Sequence, residues 1–269
     1  MTTHYPLNTG ERDALRLQRL HDIYAPYTQT FLQAAGLQSG MQILEVGCGT
    51  GLMAILLAQA AGPNGHVVAI DRSAEQLQIA KQNAQRAGVD NIEFICLDVL
   101  NIKSLNRQFD FIYDRWLLMF LPAPFATIRD LFSMLKPNGI LTTEEASFFN
   151  LGLYSYPAVS AVQTWGEIFG KSCAVGKADG YLADKLYSYY QQIGCQNIVL
   201  KMHQPVLTTP IEKSVLALGA YSFQTLALQN GFLSEEDYQK FIAELTQLET
   251  QDVMIVFVRN ALIRGRKPG

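Results

Sequence analysis

The sequence predicts an α/β fold: an open, doubly wound, mostly parallel sheet of seven strands. Three observations carry this. From residue 42 onward, short apolar runs rich in Val, Ile and Phe alternate with runs of helical periodicity. Turn signals such as Gly62-Pro63, Gly88 and Pro137-Asn138-Gly139 separate the runs. The first strand, QILEV, leads directly into the glycine-rich turn GCGTG. Strands that alternate with helices pair in parallel, because each crossover helix returns the chain to the same end of the sheet.

Each element has its own warrant. Residues 11–36 place Leu15, Leu17, Leu20, Ile23 and Tyr24 at helical spacing, and Pro26 predicts a break there, giving two helices before Gly36. QILEV (42–46) is a strand and LMAILLAQAAG (52–62) a strongly apolar helix. HVVAID (66–71) is the second strand; SAEQLQIAKQNAQRAG (73–88) is a helix with Ser73 as N-cap and Gln76 at the capping-box position. NIEFICLD (91–98) and FDFIYD (109–114) are the third and fourth strands. FATIRDLFSMLKPNG (125–139) reads as a helix stopped by Pro137, and GILTTEE (139–145) as the fifth strand. After Glu145 an aromatic-rich segment (147–170) breaks the rhythm. Helix returns at 181–194, strand at 196–203, a long helical insertion fills 205–250, and VMIVFVRNALI (253–263) is a final strand. The expected organisation is a single domain over 1–269, with a core of about 37–146, 181–203 and 252–263. A mostly helical lid would come from 1–36, 147–180 and 204–251.

Composition bounds the function. With 49 % hydrophobic and 17 % charged residues, the chain can build a sizeable core and is not disordered. A net charge of -3 offers no basic stripe for nucleic acid, and the C-terminal RGRKPG is a short solvated tail. The four cysteines, Cys48, Cys96, Cys173 and Cys195, form no CxxC pair and no metal-ligand spacing. That pattern predicts no metal and suits a reducing cytoplasm. No stretch reaches the roughly 18 apolar residues of a membrane span, so a soluble cytoplasmic protein is expected.

The turn at 47–51 sits where an open parallel sheet binds its ligand, outside the carboxyl ends of the strands. The dinucleotide fingerprint G-x-G-x-x-G/A fails at its sixth position, which is Leu52. The phosphate-binding Lys-Ser/Thr pair is missing after the glycines.

The stretch Glu45-Val46-Gly47-Cys48-Gly49-Thr50-Gly51 resembles the first motif of the class I S-adenosylmethionine-dependent methyltransferases. Asp71, Asp98 and Tyr113-Asp114-Arg115 end the second, third and fourth strands as that family's pattern asks, and KPNGIL (136–141) resembles its proline–glycine turn before the fifth strand. The likeness is detailed over about 40–146. It implies a last strand that runs antiparallel, S-adenosylmethionine as cofactor and S-adenosylhomocysteine as product; the aromatic lid and the lack of a basic surface favour a small methyl acceptor of apolar or aromatic character. The resemblance implies a cofactor site of Glu45, Gly47, Cys48, Gly49, Gly51, Asp71, Arg72, Asp98, Val99 and Arg115. Asp71 would take the ribose hydroxyls and Asp98 the adenine amino group. Arg72 and Val99 would lie along the ring. Glu45 would organise the ligand's ammonium group and Arg115 its methionine end. The amides opening the next helix would receive the carboxylate.

Each of these residues also has a structural reading. Asp71 is a favoured N-cap type, Asp114 and Arg115 can pair with each other, and Cys48 fills a small-residue slot with no histidine beside it in sequence. The catalytic residue is left open. Glu144, Glu145, His203 and His21 are weak candidates, while His66 opens its strand at the far end of the sheet. Tyr24, Phe148, Tyr154, Tyr156 and Trp165 would line the lid, as pocket or as lid core. Two other readings stand: a non-catalytic S-adenosylmethionine-binding protein, and an NAD(P)-dependent oxidoreductase. A homo-oligomer is compatible with the sequence.

Overall fold

A computed structural model describes residues 11–147 and 152–269. In chain order the elements begin α1 (Glu11–Ala35), β1 (Gln42–Val46), α2 (Leu52–Ala61), β2 (His66–Asp71), α3 (Ala74–Arg86) and β3 (Ile92–Cys96). Next come β4 (Phe109–Arg115), α4 (Pro124–Ser133), β5 (Leu135–Ala146), β6 (Tyr154–Tyr156), α5 (Ser160–Val175) and α6 (Leu182–Gln192). The chain closes with β7 (Gln196–His203), β8 (Val206–Leu207), α7 (Pro210–Ser222), α8 (Gln224–Gln229), α9 (Glu235–Gln247), β9 (Met254–Val256) and β10 (Asn260–Arg266). Two compact units result. One comprises residues up to Tyr24, Ala146–Tyr181 and His203–Asn260; the other comprises Ala25–Glu145, Leu182–Met202 and Ala261–Gly269.

The second unit carries a seven-stranded sheet in the order β3-β2-β1-β4-β5-β10-β7. β2 pairs in parallel with β1 and β3, and β4 with β1 and β5. Asn138 donates its N–H to Pro268 O, Lys267 to Gly139 O, and Ser147 to Arg259 O. The partner number falls as the β5 number rises, so the last strand is antiparallel to its neighbour, as expected. Strand order reverses between β1 and β4, which opens the crevice at their carboxyl ends. The core on one sheet face joins Phe31, Leu32 and Ala35 of α1 and Met53, Ala54, Leu57 and Ala58 of α2 to Ile43, Val67, Ala69, Phe111 and Leu262.

The other unit is mostly helical and holds the small antiparallel sheet β6-β9-β8. Ser155, Ile255 and Leu207 share its buried face. Trp165 of α5 organises the interior: its indole N–H donates to Leu216 O at 2.8 Å, and its ring packs on Phe169, Phe223 and Phe257. Gly219 of α7 lies against that indole; a Cβ there would stand 2.9 Å from it.

Three expectations about elements need correction. The two helices ahead of β1 are one helix with Pro26 inside it. A proline in a helix interior costs about 3 kcal/mol, but Tyr24, Ala25, Thr28, Phe31, Leu32 and Ala35 are all buried along the run, and that burial outweighs one missing N–H. The helix expected to reach residue 139 ends at Ser133, and the fifth strand begins at Leu135. Leu135 pairs with Phe109 and Ile140 with Phe111, so residues 136–139 bulge out of the β4 ladder, and Pro137 sits where no ladder N–H to β4 is needed. The expected final strand at 253–263 is two strands in two sheets, β9 and β10. Phe257 between them donates its N–H to Pro205 O. A continuous apolar run does not reveal where a chain passes from one sheet to another.

Candidate functional site

The glycine turn is built from left-handed backbone. Gly47, Gly49 and Gly51 have φ of 73°, 51° and 77°, values that L-residues with a Cβ adopt at a cost. The amides of Gly47 and Cys48 both donate to Ile70 O, which pins the turn to the end of β2. A Cβ on Gly47 would meet the Leu117 side chain at 3.1 Å; one on Gly51 would meet the Ala80 Cβ at 2.8 Å. The third glycine therefore serves the packing of α3 on the turn. Cys48 is buried, and burial together with Glu45 and Asp71 pushes its thiol well above the usual range. It packs and is not a nucleophile.

Asp71 ties the turn to the next loop. One carboxylate oxygen accepts the Gly49 N–H at 2.9 Å and the other the Ser73 N–H at 2.8 Å. A carboxylate has about four lone-pair sites, so acceptor capacity for two hydroxyls remains. Arg72 is exposed beside it. Asp98 caps the 3-10 turn Val99–Leu105, accepting the Leu100 N–H at 2.9 Å, while Val99 is buried.

Glu45, Tyr113, Arg115 and Glu144 share one sheet face, since Glu45 pairs with Tyr113 and Arg115 with Glu144. Glu45 is 4 % exposed and its Oε2 has no hydrogen-bond partner among the described residues. Burial pushes its carboxyl up to about 8, with Arg115 pulling down and Asp71 pushing up. One terminal nitrogen of Arg115 is likewise buried and unpaired, and the guanidinium lies 4.8 Å above the Trp116 ring. A buried acid and a half-buried cation, each with one buried atom lacking a partner and both at the strand ends beside the glycine turn, form a cradle for a zwitterion. The ammonium and carboxylate of a methionine moiety fit it in sign and in donor type. Glu144 Oε2 accepts from Tyr113 Oη at 2.8 Å and Thr28 Oγ1 at 2.9 Å.

The opposite face holds Asp114, Thr143 and Glu145. Thr143 donates to Asp114 at 2.7 Å and receives the Tyr190 hydroxyl at 2.9 Å; burial pushes Asp114 up to about 7. Glu145 is fully buried. Its Oε1 accepts the amides of Leu117 and Leu118 at 3.0 and 2.7 Å, and burial raises its carboxyl well above the usual range. It anchors the bend after β4, where Trp116 takes φ 52°. Sequence reading missed Leu117 as part of the site, and named Tyr113 within its motif without a role. An apolar residue two beyond a strand end carries no signal of its own, and a tyrosine in a strand reads as core.

The remaining candidates lie in the helical unit. Tyr24 is buried, donates to Val258 O at 2.6 Å, and meets the His203 ring edge-on at 6.1 Å. His21 is partly buried on α1. Trp165 is core, whereas Tyr154 and Tyr156 are exposed. Phe148 lies outside the described residues. His66 sits at the amino end of β2, 3.7 Å from Glu93, as a structural residue. Among the described residues no group of His, Cys, Asp and Glu could hold a metal, and no helix is long and apolar enough to cross a membrane. A groove of about 200 Å³ between α3 and β3, lined by Leu77, Lys81 and Phe94, includes none of the site residues above.

A family model described as a methyltransferase domain matches residues 37–192. The chain is 26 % identical over 129 residues to the demethylmenaquinone methyltransferase of Listeria welshimeri, covering 48 % of this chain and 55 % of that protein. To the enzyme of that name from a Geobacillus species it is 28 % identical over 145 residues, covering 52 % and 62 %. The match thus spans less than two thirds of either relative. Solved structures share the fold. A SAM-dependent methyltransferase from Aquifex aeolicus aligns with TM-score 0.52 at 17 % identity, covering 73 % of this chain and 94 % of that one. The [4+2]-cyclase SpnF aligns with TM-score 0.54 at 21 % identity, covering 89 % and 81 %.

Proposed function

The chain belongs to the methyltransferase-domain family, and from that premise we propose that it transfers a methyl group from S-adenosylmethionine to a small apolar or aromatic acceptor. The observation that carries this is the cradle at the glycine turn, where Glu45 and Arg115 present unsatisfied buried atoms of opposite charge. S-adenosylmethionine supplies an electrophilic methyl whose leaving group is a neutral thioether, so alignment of the two reactants does much of the work.

The chain's own residues bind and orient. Asp71 takes the ribose hydroxyls on the lone pairs left by Gly49 and Ser73. Asp98 takes the adenine amino group, with Val99 and Arg72 beside the ring. Glu45 holds the ammonium, and Arg115 and the amides opening α2 hold the carboxylate. Gly47, Gly49 and Gly51 let the backbone approach, and Cys48 packs behind them. A proton acceptor is needed only for a substrate that must ionise. Glu144, Glu145, His21 and His203 are the candidates for that role; Glu144 is engaged by two hydroxyls and Glu145 by two backbone amides.

The acceptor class draws support from the relatives, whose names specify a demethylated menaquinone. The net charge of -3 supports a small molecule rather than nucleic acid. The four free cysteines support a reducing, cytoplasmic setting. A second reading, cofactor binding without methyl transfer, is compatible with the fold, which by itself fixes no reaction.

Calorimetric titration with S-adenosylmethionine, S-adenosylhomocysteine and NADH, using Asp71→Ala as control, tests the ligand. Binding of the two sulfur compounds, lost in the variant, is expected; binding of NADH alone would overturn the assignment. A screen of quinol and phenol acceptors with labelled methyl then separates turnover from binding alone.

A further inference from the structure

Gln76 stands at the fourth position of Ser73-Ala74-Glu75-Gln76, where a capping box would have its side chain reach back to the Ser73 N–H. Half of that box forms: the Gln76 N–H donates to Ser73 Oγ at 3.3 Å. The other half does not. The Ser73 N–H donates to Asp71 Oδ1 at 2.8 Å, so the partner that Gln76 would have used is taken. The side chain is turned inward instead. Gln76 is 5 % exposed, and its Oε1 has no hydrogen-bond partner among the described residues.

The place of this orphaned acceptor follows from helix geometry. Ala80, one turn along the same face of α3, is the residue a Cβ on Gly51 would strike. Gln76 therefore lies on the side of α3 that meets the glycine turn, at the helix end nearest Asp71. Three neighbouring backbone donors are engaged elsewhere: Gly49 and Ser73 by Asp71, and Gly51 by Cys48 O. A buried amide oxygen left without a donor is costly, and native proteins leave few of them.

We propose that Gln76 is a further ligand contact and a determinant of nucleoside specificity: its side-chain carbonyl accepts a hydrogen bond from an O–H or N–H donor of the bound nucleoside. The inference rests on the reading of the glycine turn as an S-adenosylmethionine site. It adds to the acids at the strand ends a neutral acceptor that arises from the helix, on the other side of Asp71.

The test is a comparison of wild type with Gln76→Met, which keeps the volume and removes the acceptor, by calorimetry in the full-length protein. The ligands are S-adenosylhomocysteine, its 2′-deoxy and 3′-deoxy forms, and S-inosylhomocysteine, which lacks the exocyclic amino group. The variant is expected to bind S-adenosylhomocysteine about tenfold more weakly. For the one analogue lacking the donor that Gln76 engages, the loss shrinks to less than about twofold. Which analogue does so tells whether the donor is a ribose hydroxyl or the adenine amino group. Equal binding of S-adenosylhomocysteine by wild type and variant would overturn the proposal, as would an equal loss across all four ligands. Failure of the wild type to bind any of them would overturn the underlying site assignment as well. If Gln76→Met does not fold, Gln76→Asn, which withdraws the acceptor by one methylene, carries the same comparison.

Discussion

Asp71 accepts the backbone N–H of Gly49 at 2.9 Å, a bond that ties the end of β2 to the middle of the glycine turn. The turn's shape and the proposed ribose contact thus depend on the same carboxylate. Asp71→Ala leaves the Gly49 and Ser73 amides unpaired, and a lost bond to a charged acceptor costs about 1.5–3 kcal/mol. The expected result is S-adenosylhomocysteine binding weakened at least about tenfold, with a lowered melting temperature. Asp71→Asn, which keeps one carbonyl oxygen, should fall between the two. Calorimetry and thermal denaturation on the three proteins check this.

Glu45 links binding to pH. Burial holds its carboxyl at about 8, so near neutrality the ligand-free protein keeps this proton. An ammonium placed beside it favours the charged form, so binding releases the proton, and affinity should rise with pH by up to about tenfold per unit below pH 8. Titrations in two buffers of different ionisation heat report that release directly. Glu45→Gln should remove it and flatten the profile.

The same raised value bears on stability. An unfolded Glu45 ionises near the ordinary glutamate value of 4.5, whereas the folded one waits until about 8. Asp114 behaves alike, with a folded value of about 7 against 3.8. The folded state therefore holds protons that the unfolded state has lost, and both groups' contributions decline as pH climbs through this window. Chemical denaturation of the ligand-free protein between about pH 5 and pH 8.5 should show decreasing stability, less steeply in Asp114→Asn.

Glu145 distinguishes an acceptor from a charge. Its Oε1 holds the amides of Leu117 and Leu118, and burial favours its neutral form. Glu145→Gln keeps a carbonyl oxygen without a charge and is expected to stay within about 1 kcal/mol of wild type. Glu145→Ala strands two buried amides and should cost about 2–4 kcal/mol. Urea melts of both variants decide it.

Two glycines should respond with opposite signs. Gly51→Ala combines a left-handed φ of 77° with a Cβ 2.8 Å from Ala80, and should destabilise by about 2–4 kcal/mol. Gly170 lies in α5 with nothing within 4 Å, so Gly170→Ala should stabilise by about 0.5–1 kcal/mol. Gly88→Ala, with φ 66° and open space, isolates the backbone contribution of about 1 kcal/mol.

The strand–turn–helix passage at 42–61, the acids ending β2 and β3, and the alternation that makes a parallel sheet were all readable from residue order. These features are local: a period, a turn residue, an acid at a boundary. Ser73 was legible as an N-cap for the same reason. The fate of Gln76 was not, because the amide it would have capped goes to Asp71, and that choice depends on where β2 delivers a carboxylate. Glu144 and Glu145 looked alike in sequence. Strand alternation sends them to opposite faces, and the packing around β5 decides that one meets hydroxyls and the other backbone amides.

By itself, then, the order of residues determined the fold class and the place of the ligand turn, and the family resemblance added the antiparallel last strand. The first two follow from short-range periodicity and from glycines where the backbone must turn left-handed. Tertiary structure alone decided that Pro26 sits inside a continuous helix, that one apolar run serves two sheets, and that Glu45 and Arg115 share a sheet face with one buried atom of each left unpaired. Those outcomes depend on what is buried against what. Burial is a property of the packed chain, and no window of sequence contains it.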